Sequence, residues 1–135
     1  MNSTVVFLVL AVSTILVYGA ENRTENKKFQ EARLKCQEDP ATRLDEEALK
    51  KSLKGDINRT KFGPHALCIY QYLGVLDKNF NVNKVELRKQ LAYTVTDSLK
   101  LDAAVAECAV TKKTPKETAV EIFLCTRKVL PPYVA

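Results

Sequence analysis

Four cysteines and a single histidine are the residues of this chain able to form covalent cross-links, hold a soft metal or build a nucleophile–base pair. The cysteines stand at Cys36, Cys68, Cys108 and Cys125, with 31, 39 and 16 residues between them. No CxxC pair occurs and His65 is the lone histidine, so the ligand clusters of a zinc site are missing. Any Ser–His or Cys–His nucleophile system would have to run through His65. Neither a phosphate-binding glycine loop nor an HExxH motif is present. The even count and wide spacing fit disulfides instead, and four cysteines admit three pairings that spacing alone does not separate. No catalytic residue, metal or cofactor is expected.

Disulfides need an oxidising compartment, and the start of the chain supplies a route to one. The first 20 residues carry no charged side chain, and residues 5–17 (VVFLVLAVSTILV) are apolar apart from Ser13 and Thr14. As a helix this stretch rises only about 20 Å, against a bilayer core of about 30 Å. It has the length of a signal-peptide core, and Val17 and Gly19 satisfy the small-residue cleavage rule, so cleavage is expected after Gly19. Residues 1–19 are then a signal peptide and 20–135 a secreted, extracellular domain. No later stretch is long and apolar enough for a span, so stable membrane insertion is not expected.

The mature chain has 135 − 19 = 116 residues, enough for one domain. Such a domain buries about two-thirds of its unfolded surface, so two bridges supplement a core rather than replace it. The formal net charge is +5, but the basic residues are interleaved with acids, as in EEALKKSLK (46–54) and KVELRK (84–89). That pattern marks solvated helix faces rather than a nucleic-acid footprint.

The elements read as helices. The first covers 27–38 and stops at Pro40. A second covers 45–54, with Leu44, Ala48, Leu49 and Leu53 as its apolar stripe, acids at its start and Gly55 at its end. Asp56 to Phe62 reads as a polar connection, after which Pro64 suits the first turn of a third helix running through 66–76 (ALCIYQYLGVL). Residues 77–83 (DKNFNVN) form a turn-rich loop. A fourth helix covers 84–92. A fifth covers 96–110, with Leu101, Ala104, Val105, Cys108 and Ala109 in helical period. Thr114-Pro115-Lys116-Glu117 opens a sixth as an N-cap, a first-turn proline and a capping-box acid. The third and sixth helices are apolar nearly all round, which places them either centrally or around an internal cavity. The fold class is all-α, with about six short helices.

Cysteine spacing and helical pattern together resemble the insect odorant-binding proteins of the PBP/GOBP type, in their four-cysteine "minus-C" form. In six-cysteine members the second cysteine lies four before the third and the fifth nine before the sixth. Those offsets fall here on Pro64 and Lys116, so both partners of one family bridge are absent together. The strings CIYQYLGVLDKNFNVN (68–83) and KETAVEIFLC (116–125) also look like family segments. The resemblance covers residues 25–130. It implies the bridges Cys36–Cys68 and Cys108–Cys125, and a compact helical domain around an apolar cavity.

It further implies a secreted carrier of small hydrophobic molecules such as odorants or pheromones. Candidate wall residues are Leu73, Leu76, Leu91, Val105, Ile122 and Phe123, with Tyr70 or Tyr72 as a hydrogen-bonding handle and Tyr133 of the tail as a cover. A small apolar ligand is the expected partner, with room for a membrane receptor or a weak homodimer and none for nucleic acid. The competing reading is a secreted, disulfide-stapled inhibitor or interaction protein acting through its surface, for which Phe80 in the 77–83 loop is the candidate contact. Asn22 and Asn58 each begin a glycosylation acceptor triplet.

Overall fold

The computed structural model describes residues 27–129; the expected leader, Asn22 and the tail with Tyr133 lie outside them. Among the described residues there are six helices: α1 (27–38), α2 (Glu46–Leu53), α3 (Arg59–Tyr72), α4 (Lys84–Leu91), α5 (Ser98–Cys108) and α6 (Pro115–Val129). The one β feature among them is an isolated antiparallel bridge between Leu76 and Val82.

Helix starts follow local chemistry. The Asp45 carboxylate accepts from the Ala48 amide at 2.7 Å, Asp97 caps α5, and Thr114 Oγ1 accepts from the Glu117 amide at 3.1 Å. Each satisfies a first-turn N–H that has no partner inside the helix. Gly55 ends α2 with φ +81°, a left-handed conformation that costs glycine little.

The third helix departs from expectation at both ends. It begins at Arg59, not beside Pro64, because Asn58 Oδ1 accepts from the Thr60 and Lys61 amides at 3.1 and 3.2 Å. Pro64 is therefore inside the helix and leaves the Thr60 carbonyl without its usual partner. The Asn58 cap and the burial of Phe62 and Gly63 offset that loss. The helix ends at Tyr72, since Gly74 takes φ +76° and turns the chain. Val75 and Leu76 then pair back toward Asn83 and Val82. The Asp77 carboxylate, accepting from the Asn79 and Asn81 amides, closes the loop between them.

Helices α3 and α6 form the centre. Their contact is the most extensive among α2–α6, reinforced by an Arg59–Glu121 ion pair. A Cβ on Gly63 would lie 3.2 Å from Lys116 Cβ, so glycine there lets the start of α6 rest against α3. The main core gathers Val75, Leu76, Leu87, Ala119, Val120 and Ile122, all nearly inaccessible. A smaller cluster of Ala32, Cys36 and Ile69 docks α1 on α3.

The disulfides are Cys36–Cys68 and Cys108–Cys125, as the family resemblance implied. The second joins the last residue of α5 to the third turn of α6. Pro115 and Cys125 are separated by about 15 Å of helix rise, within the roughly 20 Å that the six residues 109–114 can span. The Lys112 amide donates to Thr118 Oγ1 at 2.9 Å, holding that connector alongside α6.

Candidate functional site

Two concavities formed by the described residues are of a size to hold a small molecule. One, of about 530 Å³, lies between α2 and the start of α3 and mixes apolar side chains with Asp45, Glu47, Lys51, Asp56 and Lys61. Charges of both signs on its wall make it a solvated groove. The other, of about 390 Å³, is framed by α1, α2, α3, α4 and α6. Its wall is mainly apolar: Phe29 from α1, Leu49 and Leu53 from α2, Phe62, Ile69 and the following Leu73 from α3, Leu87 and Leu91 from α4, and Phe123 from α6. A concave apolar surface with a few fixed polar groups is the form that small-molecule sites take, so the smaller concavity is the candidate site.

Its aromatic floor is ordered. The Phe62 and Phe123 rings meet at 4.6 Å between centroids with a 54° tilt, and Phe62 also faces His65 at 5.9 Å. Tilted contacts of this kind suit the charge distribution of the rings.

The polar groups are mostly committed within the protein. Ser52 Oγ donates to the Leu49 carbonyl at 2.6 Å and Thr126 Oγ1 to the Phe123 carbonyl at 2.9 Å. Both hydroxyls are thus left as acceptors. Tyr70 is buried beside Thr126, and burial pushes its phenol well above the ordinary value, with the Thr126 hydroxyl partly opposing the shift. The phenol is a neutral O–H donor at any physiological pH. His65 Nδ1 is 2.9 Å from the Thr42 carbonyl and must carry the hydrogen, because a carbonyl oxygen can only accept. Burial lowers the His65 pKa, the Thr42 bond opposes this, and the positive charge of Arg33 adds to the lowering. The imidazole is therefore a neutral wall group. The Thr42 carbonyl is held in place by the turn after α1, where Gln37 exchanges two hydrogen bonds with the Leu44 backbone and Thr42 Oγ1 donates to Cys36.

Two cations complete the wall, Arg33 of α1 and Arg127 of α6. Arg127 Nη1 donates to the Leu53 carbonyl at 2.7 Å, and its guanidinium lies 5.9 Å from the Phe123 centroid.

Of the residues expected at the wall, Tyr70, Leu73, Leu91 and Phe123 come together on this cavity. Leu76, Val105 and Ile122 pack in the core instead. Leu76 lies past the Gly74 turn, and Val105 and Ile122 sit among the residues that seal α5 against α6. Tyr72 is 51% exposed, so of the two expected handles Tyr70 is the one at the site; Tyr93, just after α4, also lines it. Tyr133 lies outside the described residues. Among the wall residues that sequence reasoning missed are Arg33, Arg127, Phe29, Phe62, His65 and Ile69. The last three, with Leu73, recur every three or four residues along α3 and become a visible stripe once the helix begins at Arg59.

A sequence model of the PBP/GOBP family matches residues 20–129. The chain is also similar to two Tenebrio molitor proteins. It is 27% identical to the B1 protein over 89 residues, 65% of this chain and 68% of the relative. It is 29% identical to the B2 protein over 87 residues, 64% of this chain and 68% of the relative.

Proposed function

The chain belongs to the PBP/GOBP family, and from that premise we propose that it is a secreted carrier of small hydrophobic molecules, held in the cavity between α1, α2, α3, α4 and α6. The observation that carries the reading is the wall itself: apolar side chains from five helices around a space of about 390 Å³. That volume falls in the range of roughly 300–1,000 Å³ that small-molecule sites occupy. Two disulfides suit an oxidising extracellular fluid, and no helix among the described residues is long and apolar enough to cross a membrane. The neutral His65 and Tyr70 offer hydrogen bonds to a ligand without acid–base chemistry, which favours carriage over catalysis.

The test is displacement of a fluorescent apolar probe, N-phenyl-1-naphthylamine, from the purified mature chain. Small alcohols, esters or terpenoids should compete at about micromolar concentration, equivalent to roughly 8 kcal/mol. The chain has no Trp, so the signal must come from the probe. Absence of probe binding would reject the carrier and favour the surface-acting inhibitor. Expression in insect cells followed by N-terminal sequencing should read Ala20 in the medium; retention of Met1 in the cell would reject secretion.

A further inference from the structure

We infer that the preferred ligand of the proposed carrier is amphipathic and anionic, a medium-chain fatty acid whose carboxylate is received by Arg33 and Arg127. This rests on the carrier reading and specifies its ligand class. Arg33 and Arg127 are the charged side chains on the cavity wall, and among the described residues no Asp or Glu lines it. Both residues are half-buried, so the wall carries two positive charges beside apolar surface, an asymmetry that attracts an anionic head group rather than a wholly neutral ligand.

Arginines often extend their heads into water while their stems cover apolar surface. The half-buried Arg127 is instead fixed by two contacts. Its Nη1 is tied to the Leu53 carbonyl and its guanidinium is stationed by Phe123. A Cβ on Gly55 would lie only 3.0 Å from Arg127 Nε, so the glycine makes room for the head. The guanidinium is thus pre-positioned and keeps further N–H donors for an acceptor. Arg33 projects its charge onto the same cavity, where it acts on the His65 ring. Carboxylate is the planar two-oxygen group that a guanidinium fork receives best, and the apolar remainder of the wall suits an alkyl chain.

Dodecanoic acid, methyl dodecanoate and dodecanol share a chain and differ in the head, so they separate the two readings. Each is titrated at pH 7.5 against bound N-phenyl-1-naphthylamine. The acid should compete at least about tenfold more strongly than the ester or the alcohol. Arg33→Gln should reduce that preference several-fold, read as the ratio of acid to ester competition within the same variant, and the double variant with Arg127→Gln should abolish it. If the double variant no longer holds the probe, Arg33→Gln decides alone, because Arg33 is a half-buried residue on the face of α1. Equal competition by all three molecules, or an acid preference that survives Arg33→Gln in full, overturns the inference and leaves the carrier standing. Failure of the unaltered chain to bind the probe at all removes the carrier reading itself.

Discussion

His65 Nδ1 donates to the Thr42 carbonyl at 2.9 Å, tying the middle of α3 to the turn that follows α1. It places the imidazole six residues beyond the first residue of α3, so burial rather than the positive end of the helix dipole disfavours its charged form. The unfolded chain holds His at about 6.5 and the folded chain holds it lower. Below about 6.5 the unfolded state therefore binds more protons. The stability contributed by a neutral His65 is complete above that pH and is lost as pH falls through the lower folded value. Thermal melts should show Tm declining from pH 7 to 5.5, with a shallower decline in His65→Gln; equal slopes would contradict the assignment. Affinity for a neutral probe should stay within about threefold from pH 7.5 to 5.5, because one buried imidazole does not make a histidine-cluster switch.

Tyr70 offers the cavity a neutral phenol beside Thr126. Tyr70→Phe should weaken binding of a long-chain alcohol by about 1 kcal/mol, the usual net worth of one hydrogen bond. An alkane of the same length should bind as before. Parallel losses for alcohol and alkane would show that the substitution altered packing, and that Tyr70 does not orient the ligand.

Gly63 and Lys116 meet so closely that any side chain on Gly63 must push α6 outward. Lys116 Cβ belongs to the helix frame and cannot swing aside. Gly63→Ala should destabilise by about 1–3 kcal/mol through overpacking, although alanine is the better helix former. A urea unfolding curve with an unchanged or higher midpoint would show that α3 and α6 have room for the methyl group.

The two disulfides close segments of different length, with sequence separations of 32 and 17. Chain-entropy arguments assign each about 3–4 kcal/mol, the larger to Cys36–Cys68 by about half a kcal/mol. Replacing each pair by serines and comparing denaturant midpoints tests the order. Cys36–Cys68 also anchors α1, the helix that carries Phe29 and Arg33 to the cavity. Its removal should therefore reduce probe affinity more than removal of Cys108–Cys125.

Much of the helical architecture was legible because its signals are local. The Asp45 cap, the Thr114-Pro115 start and the acids and bases at helix ends act within a turn of the backbone they stabilise. The start of α3 was not legible in the same way. Pro64 is a stronger punctuation mark than Asn58, and it takes the packing of Phe62 and Gly63 as well as the Asn58 cap to make the earlier start worth its lost hydrogen bond. The end was misplaced because Gly74, inside an apolar run, gave no sign that it would adopt a positive φ.

The sequence by itself determined an all-α chain, most of its helix boundaries and a set of cysteines suited to oxidation, since capping, proline placement and hydrophobic period operate over a few residues. Tertiary structure alone decided which apolar side chains fill the core and which face the cavity. A helix that is apolar nearly all round has no polar side to set its rotation, so Ile122 and Phe123, neighbours in sequence, part company only when α6 packs against α3 and α5. The same packing brings Arg33 and Arg127 to one wall from opposite ends of the described chain, a convergence that no local pattern encodes.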